Sequence, residues 1–363
     1  MSIILFIVIL GVLVFVHELG HFLVAKRFGI RVDEFAIGFP PRVVSRKVGE
    51  TEYSLNLVPI GGYVKIFGED ILSPAPDDSD RSRSFVAKNR AIQASVLLAG
   101  VFANVLFAWM LLSAVFMIGA TVSKEQYASV VLTDERLLVV AVLDQSPAAR
   151  AGIKSGDVIR YIRAESGGLS APTIDEVQRF IGEREGNELV LGVERKSEKR
   201  EVHMTPVSGI IQDTVGIGIS MDTVGTLRLS FFRALAEGTR RTSDLFIATV
   251  QGLWDFLYRI VSFNADFSTV AGPVGIAVLV SDAQTLGWFY LVSFTAIISL
   301  NLAVINLIPF PALDGGRLFF VIIEAIIRRP LPQRLVRVLN TTGFMLLLVL
   351  LVFVTYKDIL RLL

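Results

Sequence analysis

Four long apolar stretches constrain this chain more than any other feature of its sequence. They cover approximately residues 2–25, 94–120, 288–308 and 341–356, and a helix needs about 20 apolar residues to cross the hydrocarbon core of a bilayer. The composition, with 53% hydrophobic and 19% charged residues, is also that of a membrane protein. The sequence therefore predicts a polytopic α-helical protein with four transmembrane helices.

The short loops predict how these spans are oriented. Basic residues near span ends favour the cytoplasm, and they are concentrated between spans one and two and between spans three and four. Both loops are therefore predicted to be cytoplasmic, which makes both termini and the long loop between spans two and three extracytoplasmic. The first apolar run lacks a preceding basic segment and a following small-residue cleavage site, so we interpret it as a retained span.

Bulk composition excludes several other classes of protein. The net charge is +1, and no run of Lys and Arg alternates with aromatic residues, so nucleic acid is not a predicted partner. The chain contains no cysteine, which excludes disulfides, thiolate metal ligands and cysteine nucleophiles.

The connecting segments divide the chain into four predicted regions. Region 1–120 holds spans one and two, and its β-patterned segments at 34–39 and 53–67 predict a membrane-associated β-hairpin with Gly61 and Gly62 between its arms. Such backbone survives at membrane depth only when protein shields it or it borders a wet cavity. Residues 73–83, rich in Ser, Pro and Asp, predict a solvated linker. Region 285–363 holds spans three and four.

The long extracytoplasmic loop is predicted to contain two further regions. Region 128–208 has the pattern of a small α+β domain, with strands at 137–143, 189–194 and 201–206 and a helix whose N-cap is Thr173, followed by Glu176. Region 226–270 contains an amphipathic helix. This helix either packs on the small domain or lies along the outer membrane surface, and the sequence favours the membrane surface.

A His-Glu-x-x-His motif at residues 17–21 lies at the end of the first span. On a helix, His17 and His21 share one face, so two imidazoles can hold one metal ion while Glu18 lies beside it as a general base. Zinc suits such ligands and tolerates an open coordination position. Two of the three histidines of the chain are in this motif. The alternative is that both merely cap the span as interfacial polar residues, although ionisable groups at that depth are costly and rarely idle.

Two histidines leave a zinc site one protein ligand short, and Asp314 is the best candidate for the third. It follows the third span, where a carboxylate is costly unless a cation neutralises it. Asn306 also needs partners at that depth. Pro309 and Pro311 break the helix and free backbone groups that could pair with an extended peptide. The alternative is a simple turn, which Asp-Gly-Gly builds readily.

Together these motifs resemble the signature of site-2 proteases. His-Glu-Leu-Gly-His at a first span, combined with Asn306-x-x-Pro309-x-x-x-Leu-Asp314-Gly near a third, is similar to the bacterial regulator-of-sigma-E protease group. The resemblance extends to Gly-Gly-Tyr-Val-Lys at 61–65, to an extracytoplasmic PDZ domain at 128–208 and to Ala-Gly-Pro-Val-Gly-Ile-Ala at 271–277. This chain has one such domain, whereas the best-known enterobacterial members have two.

The resemblance implies an activity, partners and a location. It implies an intramembrane zinc metalloprotease of the bacterial inner membrane, whose Zn²⁺ ligands are His17, His21 and Asp314, with the site toward the cytoplasmic side. Its substrates would be single-pass membrane proteins already cleaved by another protease, such as truncated anti-sigma factors or remnant signal peptides. In the family pattern, Asn306, Pro309 and Pro311 help to hold the unwound substrate. The hairpin, including Gly61 and Gly62, adds a strand beside it.

Two other functions remain open at the level of the sequence. A non-catalytic membrane scaffold would capture chain ends and keep a vestigial motif, but intact Glu18 and Asp314 count against it. A metal transporter would place His and Asp along its path, but such proteins tend to contain repeats of broken helices, and we find no internal repeat.

Overall fold

The computed structural model describes residues 2–69, 81–127, 130–195, 198–211, 214–262, 264 and 270–362. Two compact units divide the chain. The first comprises Met1–Ser113, Ala236–Gln284 and Tyr290–Leu363, and the second comprises Ala114–Leu235 and Thr285–Phe289. The helices are α1 (Ser2–Arg27), α2 (Arg90–Ile118), α3 (Pro147–Arg150), α4 (Ile174–Gly182), α5 (Phe231–Val261), α6 (Pro273–Leu286), α7 (Trp288–Leu307), α8 (Asp314–Ile327) and α9 (Gln333–Leu362).

The strands of the described residues form three sheets. They are β1 (Val32–Val48), β2 (Thr51–Ile66), β3 (Ala120–Ser123), β4 (Thr133–Val142), β5 (Val158–Ala164), β6 (Gly167–Ser170), β7 (Leu189–Arg195), β8 (Glu198–Met204), β9 (Val207–Ile211), β10 (Thr214–Gly216) and β11 (Ile219–Leu227). This is considerably more sheet than the sequence patterns predict.

Four helices of the described residues are long and apolar enough to cross a membrane, as predicted. They cover Ile3–Arg27, Arg90–Ile118, Trp288–Leu307 and Gln333–Arg361. The fourth helix is much longer than the predicted 341–356. It continues beyond the apolar centre into segments that contain charged residues at both ends, and an apolar stretch alone does not reveal these segments. The chain is thus a membrane protein; the orientation of its termini stays a prediction.

Helices α1 and α2 approach each other closely at the motif. A Cβ atom on Gly20 would lie 2.4 Å from the carbonyl oxygen of Ala99, so only glycine allows this separation of the backbones. Nearby, Leu13 of α1 is fully buried in an apolar cluster that also contains Ile9 and Val280. This packing fixes the face of α1 that carries the two histidines.

Strands β1 and β2 form a bent antiparallel sheet joined by a turn at Gly49 and Glu50. The prediction that Gly61 and Gly62 lie between the arms of the hairpin is wrong, because both glycines lie within β2. They serve close packing instead: a Cβ on Gly61 would meet the ring of Phe39 at 2.7 Å. Residues 34–37 pair both with 62–65 and with 52–55.

The sheet of β1 and β2 packs on α1 through aromatic side chains. The ring of Phe35 makes edge-to-face contacts with Phe15 and Phe22, and Phe22 also contacts Tyr53. Phe15 and Phe22 flank the metal-binding motif, so the sheet covers the helix on both sides of it. Residues 73–80 of the predicted linker lie outside the described residues, and Arg81–Arg83 form one 3₁₀ turn.

The amphipathic helix α5 packs along two of the spans. Leu245 and Phe246 contact the cluster that contains Ala108 of α2 and Leu300 of α7. The indole nitrogen of Trp109 donates to the hydroxyl of Thr239 at 2.9 Å. The orientation of α5 with respect to the membrane stays a prediction.

The second unit is built around a seven-stranded sheet of order β3-β11-β4-β5-β7-β8, with β6 paired to β5. Its core is an apolar cluster in which Val139, Ile162, Leu189 and Leu191 are fully buried. The predicted capping box at the start of α4 is confirmed, since Thr173 and Glu176 exchange hydrogen bonds. The sheet extends beyond region 128–208, because β3 and β11 add residues 120–123 and 219–227 to it.

Candidate active site

The two histidines of the motif are buried within a membrane-spanning helix. His17 and His21 are each 7% exposed, and they lie one helical turn apart on α1, which contains no proline and has Lys26 and Arg27 in its last turn. Glu18, which lies between the two histidines in sequence, is half-buried. Its carboxylate interacts electrostatically with both imidazoles and with Asp314.

Asp314 reaches this cluster through a tight turn between α7 and α8. Helix α7 ends at Leu307, before Pro309 and Pro311, which cannot continue a helix. A Cβ on Gly316 would lie 2.1 Å from the carbonyl oxygen of Phe310, so the chain can double back only with glycine there. Asp314 is the first residue of α8, where the positive end of the helix dipole favours a carboxylate.

The three predicted ligands meet at one point. The Nε2 atom of His17 lies 2.9 Å from Asp314 Oδ2, His21 Nε2 lies 3.2 Å from the same oxygen, and the two Nε2 atoms are 3.2 Å apart. Among the described residues, these three form the group of His, Cys, Asp and Glu side chains that could hold a metal ion.

The separations of these atoms fit a zinc ion. Ligands about 2.0–2.1 Å from zinc at tetrahedral angles are about 3.3 Å from one another, close to the observed 2.9–3.2 Å. His21 Nδ1 lies 2.8 Å from the carbonyl oxygen of Val96, which can only accept. The neutral ring therefore carries its proton on Nδ1 and directs the lone pair of Nε2 into the cluster. The lone pair of His21 Nε2 and the carboxylate of Asp314 face one another, and a cation between them would bind to both.

Helix α2 provides the space that the imidazoles occupy. A Cβ on Gly100 would lie 2.4 Å from His21 Nε2 and 2.8 Å from His17 Nε2. One turn further on, the side-chain amide of Asn104 lies 3.2 Å from His17 Nδ1. Neither Gly100 nor Asn104 was predicted from the sequence. The signal that could have found Asn104 is a polar side chain in the middle of an apolar span, which is costly without a partner.

The predicted substrate-binding residues are distributed around the cluster. Asn306 lies closest, with its Nδ2 atom 3.4 Å from His17 Nε2. Pro309 is exposed, and Pro311 contacts α9, where a Cβ on Gly343 would meet its carbonyl oxygen at 2.7 Å. Gly61 and Gly62 contact β1 rather than the His–Asp cluster.

Comparisons with known proteins identify the family of this chain. The model of peptidase family M50 matches residues 5–350. A relative from Clostridium perfringens, provisionally named a zinc metalloprotease, is 37% identical over 363 residues, which are 99% of this chain and 98% of the relative. Zinc metalloprotease RasP from Geobacillus kaustophilus is 31% identical over 435 residues, covering 99% of this chain and 97% of RasP.

Solved structures match a smaller part of the chain. The PDZ domain of an SdrC-like protein from Listeria monocytogenes is 22% identical and aligns with a TM-score of 0.21, covering 25% of this chain and 93% of that domain. The match of the family model to nearly the whole chain, together with the full-length relatives, shows that this membrane protein belongs to peptidase family M50 and is a zinc metalloprotease.

Proposed function

We propose that this zinc metalloprotease cleaves peptide bonds inside the membrane-spanning segments of single-pass membrane proteins. The observation that carries this proposal is the position of the His17, His21 and Asp314 cluster: two of its members lie within a span. A protease that acted only on soluble chains would gain nothing from burying such costly groups in that layer. The bacterial inner membrane is the proposed location, with both termini extracytoplasmic and the site toward the cytoplasm.

The side chains of the site have different proposed roles, namely metal binding, proton transfer and substrate binding. His17, His21 and Asp314 would hold zinc, which when bound supplies a Lewis acid that polarises the scissile carbonyl and acidifies a water molecule. Glu18 accepts the proton of the attacking water and delivers it to the nitrogen of the leaving amine. Asn306, within 3.4 Å of His17 Nε2, is placed to donate to a carbonyl oxygen of the substrate beside the metal.

A helical substrate must unwind before hydrolysis, because its amides are bonded internally and its carbonyl groups are shielded. The edge of β2 supports a proposal for how it is held. Residues 62–65 pair with 34–37 of β1, and within the described residues they have no second strand partner. An extended substrate could pair with this edge beyond Gly61 and Gly62, although Gly61 itself is packed against Phe39 of β1. The backbone around Pro309 and Pro311 would contribute further acceptors.

A largely apolar cavity against α1 supports a membrane segment as the substrate. It has a volume of about 430 Å³ and lies between α1 and the sheet of β1 and β2. Its wall contains Phe15, Leu19, Phe35 and Leu55, and Arg46 also lines it. The apolar part of this wall suits an apolar side chain. The proposed partners are single-pass proteins first shortened by another protease, with the second unit acting as a PDZ domain.

A Glu18→Gln variant tests the proposal. Full-length wild-type and variant proteins are reconstituted with tagged single-span substrates whose outer domains have been removed, and zinc content is measured in parallel. We expect zinc to be retained and cleavage to fall about 10²–10⁴-fold, the usual contribution of a general base. A variant that retains zinc and cleaves at the wild-type rate would remove Glu18 from this role. Cleavage confined to bonds outside the membrane segment would contradict the proposed substrate class.

A further inference from the structure

The side chain of Asn104 is the most completely buried polar group beside the proposed metal ligands. Asn104 has no exposed surface, and its amide lies 3.2 Å from Nδ1 of His17, the ring nitrogen that faces away from Asp314. Its Oδ1 atom has no hydrogen-bond partner among the described residues. An unsatisfied buried acceptor costs about 1–3 kcal/mol, so this arrangement requires a functional explanation.

The metal supplies that explanation through the tautomer of His17. An imidazole that binds a cation through Nε2 and stays neutral must carry its proton on Nδ1. It then needs an acceptor at Nδ1, as His21 has in the carbonyl oxygen of Val96 at 2.8 Å. Asn104 has the only side-chain contact recorded for His17 Nδ1 in the described part of the chain. A rotation of its amide by 180° exchanges the nitrogen and oxygen atoms and turns the unsatisfied Oδ1 toward this N–H group.

The backbone of Asn104 is fixed separately from its side chain. The hydroxyl of Ser299 donates to the main-chain oxygen of Asn104 at 2.8 Å, and Ser299 is fully buried. Gly100, one turn before Asn104, leaves the space in which the His17 ring lies. The main chain of Asn104 thus contacts α7, and only its side-chain amide contacts the imidazole of His17.

We infer that Asn104 is the positioning residue of His17, accepting a hydrogen bond from Nδ1–H and so directing the lone pair of Nε2 toward the metal. This inference rests on the proposed function, because it assigns His17 as a zinc ligand. Loss of this hydrogen bond should weaken zinc binding directly and should lower protease activity as a consequence. Partners of this kind commonly contribute about 10–100-fold to metal affinity or activity.

Three variants of the full-length protein test the inference in detergent micelles. Asn104→Leu removes the acceptor at similar volume, and Asn104→Asp keeps an acceptor that cannot donate. Ser299→Ala is the matched control, because it removes a buried hydrogen bond to the same residue without touching the imidazole. Zinc affinity is measured by competition with a chelator that buffers free zinc. We expect Asn104→Leu to bind zinc about 10–100-fold more weakly, and Asn104→Asp and Ser299→Ala to bind it within a few-fold of wild type.

The outcomes separate this inference from the function on which it rests. Wild-type zinc affinity in Asn104→Leu would overturn the positioning role, and so would an Asn104→Asp protein that is folded yet binds zinc as weakly as Asn104→Leu. If Asn104→Leu fails to fold, Asn104→Asp is compared with wild type instead: zinc affinity within a few-fold of wild type supports the role, and a loss of about 10-fold or more overturns it. A His17→Ala protein with unchanged zinc affinity would instead refute the proposed metal site itself.

Discussion

The absence of a side chain at Gly100 leaves the space in which the two imidazoles of the candidate site lie. Because a Cβ there would lie 2.4 Å from His21 Nε2 and 2.8 Å from His17 Nε2, we predict that Gly100→Ala displaces both rings. Zinc content should fall to a small fraction of the wild-type value, and protease activity should fall with it. Elemental analysis of the purified protein measures the first, and a cleavage assay measures the second.

A second helical glycine provides the control for this prediction. A Cβ on Gly252 of α5 would meet no atom within 4 Å, so Gly252→Ala should retain zinc and gain helix propensity by about 1 kcal/mol. A Gly100→Ala protein with the full zinc content of wild type would show that the rings have room to move. The described geometry would then not be required for metal binding.

At the residue scale, the sequence predicted the three candidate metal ligands but not the residues of α2 that surround them. The spacing of His17 and His21 depends only on the period of a helix, and a carboxylate such as Asp314 near a span end needs a cation; both arguments use local chemistry. Gly100 could not be found in this way, because its importance depends on how close α2 comes to α1; local chemistry could mark Asn104 as a polar group in need of a partner but could not name His17 as that partner. The distance between α1 and α2 is a property of the packing of two helices distant in sequence.

At the element scale, the start of α6 depends on one carboxylate from α9. Asp358 is buried and accepts hydrogen bonds from the amides of Gly272 and Gly275 at 3.2 and 2.7 Å. A Cβ on Gly272 would lie 2.7 Å from its Oδ2 atom, which explains both glycines of the Ala-Gly-Pro-Val-Gly-Ile-Ala segment. The carboxylate caps the helix and complements its dipole.

We predict that Asp358→Ala destabilises the start of α6 by about 1–2 kcal/mol, the usual cost of losing a cap. Hydrogen–deuterium exchange of the full-length protein should show faster exchange of the first amides of α6, with the centre of α7 unchanged. Asp358→Asn keeps one acceptor oxygen and should give an intermediate effect. Unchanged exchange in Asp358→Ala would mean that the capping contact does not hold α6 in place.

The turn between β1 and β2 is attached to the end of α1 by an ion pair that should depend on pH. Glu50 accepts hydrogen bonds from Lys26 and Arg83, and these bonds lower the pKa of its carboxyl below the usual value. A lowered pKa in the folded state stabilises the protein above the unfolded pKa of about 4.5, and this contribution is lost as the pH falls through the folded value.

We therefore predict that Glu50→Gln lowers the unfolding temperature at neutral pH, and that its difference from wild type shrinks below about pH 4.5. Thermal unfolding in detergent from pH 7 to pH 3 measures both. A difference of constant size across this range would show that the ionised carboxylate does not contribute to stability.

The elements themselves were predictable to different degrees. Long apolar helices and the capping box at Thr173 follow from composition and local spacing, so both were predicted. The extent of β2 was not, because Gly61 and Gly62 resemble a turn while the true turn at Gly49 and Glu50 carries a weaker signal. What decides between them is the pairing of residues 34–37 with two different segments, which no local pattern contains.

At the scale of the whole molecule, the proposed orientation can be tested because the chain contains no cysteine. Single cysteines are introduced at Ser166, an exposed turn residue of the second unit, and at Gln333, exposed at the start of α9. We predict that a membrane-impermeant thiol reagent added to intact cells labels Ser166→Cys alone, and that Gln333→Cys is labelled only after the membrane is opened. Labelling of Gln333→Cys in intact cells would reverse the proposed topology.

The chain as a whole was predictable where one physical requirement dominates. Four spans follow from hydrophobicity, and a metal site follows from polar groups that lipid would not otherwise tolerate. The size of the second unit was not predictable, because β3 and β11 join its sheet from outside the predicted region 128–208. Such pairing over about 100 residues leaves no local trace in the sequence.

If His17, His21 and Asp314 hold one zinc ion within the membrane-embedded part of the chain, zinc K-edge X-ray absorption of the purified Glu18→Gln protein will show it. We predict one zinc per chain, bound by two imidazoles and by oxygen ligands at about 2.0–2.2 Å. Adding Asp314→Ala to this variant should change the spectrum or remove the zinc. A spectrum without imidazole ligands, or one that Asp314→Ala leaves unchanged, would contradict it.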